Sequence, residues 1–103
     1  MIPAVILPTV RRAILDLLHT LGIEEEQSDD ALYLQLIQLR HRLARRDVAE
    51  QLRWLADAGL LDAYELGPYL MVRLLPDGVD VAEGRLGVDG VDRRRDRPGT
   101  ARG

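Results

Sequence analysis

Six side chains between positions 40 and 53 have the chemistry to read a nucleic acid: Arg40, Arg42, Arg45, Arg46, Gln51 and Arg53. A guanidinium presents a planar fork of donors that matches a guanine edge or two phosphate oxygens, and a glutamine amide can pair with adenine in the same two-point way. Arg45, Arg46, Gln51 and Arg53 are expected to face a DNA groove, with Arg40 and Arg42 on phosphates. The neighbouring acids argue the other way. Arg46 and Glu50, Glu50 and Arg53, and Arg53 and Asp57 stand three or four positions apart, so on a helix this face can neutralise itself. A second basic group, Arg93, Arg94, Arg95 and Arg97, is interrupted by Asp92 and Asp96. It reads as an arm that could follow a minor groove or backbone, or equally as a solvated end.

All 14 basic residues of the 103 are arginine, and the net charge is −3. An arginine-only set suits phosphate contacts, but it is also what a biased genomic base composition produces. A net negative chain lacks the overall basic footprint of many DNA-binding domains. Its positive charge is local: residues 23–39 hold five acids and no base, whereas residues 40–58 hold five arginines against three acids.

Other chemistry finds little footing. Cysteine is absent and there are two histidines, His19 and His41, so no metal-ligand spacing exists and neither a metal nor a cofactor is expected. The carboxylates at 24–26, 29 and 30 form an acidic patch, not a positioned pair. Neither a nucleophile arrangement nor a phosphate loop is present, and no enzymatic activity is expected. No apolar run reaches the roughly 18 residues of a membrane span, and the apolar start lacks the basic flank of a signal peptide. A soluble cytoplasmic protein is therefore expected.

The elements that must carry the arginines emerge from periodicity. Val48, Leu52 and Leu55 form one apolar stripe on a helix over 45–58, closed by Gly59. Val10, Ile14, Leu17, Leu18 and Leu21 define an earlier helix that begins at Pro8-Thr9 and ends at Gly22. Ser28, Asp29 or Asp30 can cap a helix from about 30 to 39. Its face of Leu32, Leu36 and Leu39 is widened by Tyr33, Leu34 and Ile37, as if wedged between two others. Leu43 pins the next turn. Residues 61–66 and 69–74 read as strands around Gly67-Pro68, and Pro76 opens a short helix over 77–83. The order is helix, helix, turn, helix, hairpin, short helix. The expected fold is mainly α with a small β-hairpin, a winged helix-turn-helix. A three-helix bundle is the rival. The expected organisation is an N-terminal arm (1–8), the domain (9–91) and a disordered basic tail (92–103). Ile2, Val5, Ile6 and Leu7, joined by Trp54 and Tyr64, could serve a homodimer, the common state of helix-turn-helix readers. The same residues could simply complete a small core.

The segments VAEQLRWLADAGLL, ELGPYLMVRLLPDGVDVAEGR and VDGVDR, in this order, resemble a small winged-helix protein of Mu-like bacteriophages and prophages. The resemblance covers roughly residues 10–94. Its members are labelled as phage proteins or as regulators of the ArsR type. It implies a DNA-binding, regulatory protein acting in a bacterial host cell. Members usually open the central helix on a Ser or Thr cap, where this chain has Ala44-Arg45. The alternative is a winged-helix protein–protein interaction module that uses its acidic wing, with Asp62 and Glu65, and binds no DNA.

Overall fold

Pro8 in the first turn and Gly22 at the end delimit the first long helix, α1, over Leu7–Leu21. In this computed structural model, which describes residues 2–39 and 41–93, a 3-10 turn at Ala4–Ile6 leads directly into it. The segment read as a separate arm is thus mostly a helical lead-in, and Ile2 is buried against the core. Val10, Ile14, Leu15 and Leu18 are buried along the inner face of α1, with Leu17 and Leu21 at its margin.

The acidic linker does more than connect. Gln27–Ser28 is a short strand, β1, and it pairs antiparallel with Val72 and Met71 of a later strand. Ser28 then caps α2 (Asp29–Gln38), its Oγ accepting from the Ala31 amide at 3.0 Å. Asp29 is buried, and one carboxylate oxygen accepts from the Asp30 amide at 2.9 Å and the Leu70 amide at 3.1 Å. That carboxylate ties the start of α2 to the sheet. Leu32 and Leu36 are fully buried, but Leu34, Ile37 and Leu39 are exposed. α2 packs against both α1 and α3, but the expected widening of its buried face is not formed: one stripe faces inward and the outer face meets solvent.

α3 spans Arg45–Asp57. With alanine at its cap, Asp47 supplies the cap contact instead, its Oδ2 accepting from the Ala44 amide at 3.1 Å. Val48, Leu52 and Leu55 are fully buried, as the stripe requires. At the far end the Leu60 amide donates to Leu55 O and Gly59 N to Ala56 O, both at 3.0 Å, satisfying carbonyls that the helix leaves open.

The hairpin has the expected limits, β2 at Leu61–Leu66 and β3 at Tyr69–Leu74, with Leu66 opposite Tyr69. Gly67 has φ 57°, as a tight two-residue hairpin turn with glycine first requires. Leu70, Val72 and Leu74 point inward. The sheet has the order β1-β3-β2. Among the described residues the architecture is therefore four helices and a three-stranded antiparallel sheet, a mixed α/β arrangement and not a mainly α fold with a lone hairpin. Among the described residues no helix is long and apolar enough to cross a membrane.

Pro76–Ala82 forms α4, which packs back on α1. Arg12 of α1 is buried and donates to Val81 O at 2.8 Å and Ala82 O at 2.6 Å. A guanidinium thus caps the carbonyl end of α4, where a cation is also favoured by the helix dipole. Nearby, His19 Nε2 lies 2.7 Å from Glu83 Oε2, and Arg85 contacts the other oxygen. Hydrogen bonding to His19 first, and to Arg85 next, holds the Glu83 carboxyl below its ordinary range. A depressed carboxyl stabilises the fold above its unfolded-state pKa, and that stability fades as pH falls through the folded value. Glu83→Gln should therefore unfold at lower denaturant than the parent at pH 6, with the gap closing below about pH 4. Denaturant midpoints across this range check it. A gap of constant size would remove the carboxylate from the account.

Candidate nucleic-acid interface

α3 rests its apolar stripe on the core, so its other face is set outward with the turn before it. Arg42, Arg45 and Arg46 are exposed there, and Arg53 stands two turns along. Their surroundings separate them. Arg45 lies 3.5 Å from Asp30 and 3.9 Å from Asp29, with its guanidinium 5.8 Å from the centre of the Tyr69 ring. Arg53 lies 3.8 Å from Glu65 on the hairpin. Arg42 and Arg46 have no carboxylate within ion-pair distance among the described residues. The pairings expected along the helix, through Glu50 and Asp57, are not made. Neutralisation comes from α2 and β2 instead.

Gln51 does not belong to this face. It is 8 % exposed, and its Oε1 accepts from Arg11 Nε at 2.8 Å. At i+3 from Val48 and i−4 from Leu55 it sits at the edge of the buried stripe, where α1 crosses, so it cannot meet a base. Arg40 lies outside the described residues, as do Arg94, Arg95 and Arg97 of the second basic group; Arg93 is exposed.

Two arginines with structural roles are hidden in the α1 pattern. Arg12 is the cap of α4, and Arg11 is the other. Arg11 shares a face with Leu7, Leu15 and Leu18, and that spacing is the one sign that it turns inward. It is 9 % exposed and makes no contact with a carboxylate among the described residues. Its charge is met by Gln51, by Gly90 O at 3.0 Å, and by the Trp54 ring, with the guanidinium 3.8 Å from the centroid. Burial lowers its pKa, and stacking on the indole is the compensation available to a cation with no anion. Trp54 and Ile2 are thereby used within the fold. Of the surface assigned to self-association, Val5, Ile6 and Tyr64 remain well exposed.

The hairpin carries acid and aromatic groups. Asp62 lies 3.4 Å from Arg73, and Tyr64 donates its hydroxyl to Glu26 Oε1 at 2.8 Å. That hydrogen bond, ahead of desolvation and the charges of Glu26 and Asp62, raises the Tyr64 pKa. Tyr64, Leu66 and Tyr69 are exposed. Among the described residues no group of three or more acidic, histidine or cysteine side chains could hold a metal ion.

The chain is similar to an uncharacterized protein, gp26, of Escherichia phage Mu, with 42 % identity over 57 residues. The match takes in 55 % of this chain and 59 % of the phage protein, so the chain spans little more than half of that relative's length. Likeness to a Mu phage protein is thus established over about half of each sequence. No protein-family model matches, and no solved structure matches.

Proposed function

We propose that this is a phage-type winged helix-turn-helix DNA-binding domain of a transcriptional regulator, with α3 as the groove helix and the hairpin as its wing. The observation that carries the reading is the pair of exposed arginines, Arg42 and Arg46, at the N-terminal end of α3 and free of carboxylate partners among the described residues. That end of the second helix of the motif is the part that meets base edges in helix-turn-helix proteins. The order α1-β1-α2-α3-β2-β3, with β3 central in the sheet, supports it: α2 and α3 form the helical pair and β2-β3 the adjacent hairpin. Arg45 and Arg53 would exchange Asp30 and Glu65 for phosphates, which costs little because exposed ion pairs are weak. A homodimer through Val5 and Ile6 would present two copies of α3 to paired half-sites.

Fluorescence anisotropy with labelled phage-derived and random duplexes tests the proposal. The expected result is sub-micromolar binding at low salt, with log affinity falling against log salt at a slope of roughly −3 to −5, about 0.9 per phosphate neutralised. Negligible binding at low salt would reject it. The second reading, a protein-interaction module, is favoured by one observation: the hairpin offers carboxylates and exposed aromatic rings at Asp62, Glu65, Tyr64 and Tyr69. Such a surface repels phosphates and suits a basic protein partner.

A further inference from the structure

One exposed acid on α3 stands among the arginines without joining any of them. Val48, Leu52 and Leu55 are fully buried, and Gln51 is held from the side by Arg11 at 2.8 Å. These contacts fix the rotation of α3 about its own axis. With that rotation set, Arg46, Glu50 and Arg53 follow one another outward at intervals of four and three residues, the spacing of a single helical stripe. Glu50 is exposed and stands one turn beyond Arg46, still within the N-terminal half of the helix. Arg46 and Glu50 line the same shallow groove beside Ile2 and Leu7, yet they do not pair. Among the described residues Glu50 makes no ion pair at all.

A carboxylate in this place is a cost to a surface that only holds phosphates, because it repels each one it nears. At a base edge it has a use. A carboxylate accepts hydrogen bonds and donates none. In the major groove guanine offers acceptors at N7 and O6, thymine offers an acceptor at O4, and adenine sets an N7 acceptor beside its N6 donor. Cytosine presents its N4 donor with no acceptor next to it. We infer that Glu50 is a specificity-determining residue of the interface, accepting from a cytosine N4 amino group while Arg46 donates to a guanine. The inference rests on the DNA-binding reading above and adds the choice of base to it. Four residues of helix advance about 6 Å and successive base pairs about 3.4 Å, so the cytosine lies within one or two steps of the guanine. Glu50 supplies selectivity and not affinity: it disfavours the other three bases and weakens the grip of the flanking arginines on random sequence.

Selection of bound duplexes from a random library provides the test, carried out with the full chain and with Glu50→Ala and Glu50→Gln. Anisotropy on the selected duplex and on a random one accompanies it. The parent is expected to favour cytosine at one position by about tenfold or more over each other base. Glu50→Ala should flatten that position to under about twofold and bind the random duplex roughly two- to fivefold more tightly. Glu50→Gln should change the favoured base there to adenine, whose N6 and N7 match an amide. A role in folding alone produces no such exchange of base. Both variants should melt within about 3 °C of the parent, as for an exposed position without partners. If the parent selects a motif and both variants return the same one, the inference alone falls. It falls likewise if the parent binds duplexes and selects no base. If the parent itself fails to bind duplexes at low salt, the DNA-binding reading falls and takes the inference with it.

Discussion

A chain carrying Arg42→Glu and Arg46→Glu should bind DNA at least about 100-fold more weakly than the parent and melt at the same temperature. Each reversal removes a phosphate or base-edge contact and adds repulsion at the same place. A good bidentate base contact is worth ~1–3 kcal/mol, and two lost contacts of even the smaller kind, with the repulsion, reach the roughly 2.7 kcal/mol that 100-fold represents. Stability should change by no more than about 0.5 kcal/mol, as for surface positions without special partners. Both side chains are exposed, and neither is paired among the described residues. The choice of positions matters. Gln51 would be a poor third site, because its carbonyl oxygen holds buried Arg11, so its loss would disturb the α1–α3 contact. Arg53 faces Glu65, so reversing it would set two acids together and confuse repulsion within the protein with repulsion of DNA. Undiminished binding by the double variant would remove α3 as the groove helix. A fall in melting temperature together with binding would assign the two arginines to folding.

Gly78→Ala should destabilise the fold by about 3 kcal/mol or more, although alanine is the better helix former by ~1 kcal/mol. The position lies inside α4, where glycine looks like a defect. A Cβ built there would overlap Leu60 O and stand 3.1 Å from Leu74 Cδ2. Neither neighbour can give way cheaply. Leu60 is fully buried between the end of α3 and the start of β2, and its carbonyl accepts from the Leu75 amide at 3.0 Å. Relief would require α4 to lift from the sheet, breaking that hydrogen bond and uncovering Val81 and Ala82. Overpacking of a tight core costs ~1–3 kcal/mol when side chains can adjust, and here the obstacle is backbone. Urea midpoints measure the effect. Gly87→Ala serves as the control, since its Cβ would meet nothing within 4 Å, and it should be nearly neutral. A neutral Gly78→Ala would mean that α4 does not approach Leu60 this closely.

Elements with a long enough period were legible residue by residue. The stripes of α1 and α3, the Gly22 and Gly59 ends and the limits of the hairpin all come from spacing within one segment. β1 was not legible, because two residues in an acidic linker carry no alternation; only its pairing with Val72 and Met71 makes it a strand. The apolar residues of α2 misled for a related reason. Leu34 and Ile37 look like core, but burial depends on whether another element lies over that face, and none does among those described. The attachment of residues 85–92 was not legible: Val88 and Val91, which pack on the core, lack a period because this loop is held by individual contacts to α1, not by a repeating face.

The candidate site shows the same division. The chain by itself determined that arginines collect on α3 and the turn before it, because that is a matter of position along one helix. Only the tertiary structure decided which of them are available. Arg45 meets Asp30, Arg53 meets Glu65, and Gln51 is claimed by Arg11, which also holds Gly90. These partners stand between 12 and 79 positions apart in the chain, and no local rule brings them together. Helical period is a short-range consequence of backbone geometry, whereas the pairing of charges depends on where the packed core places distant segments.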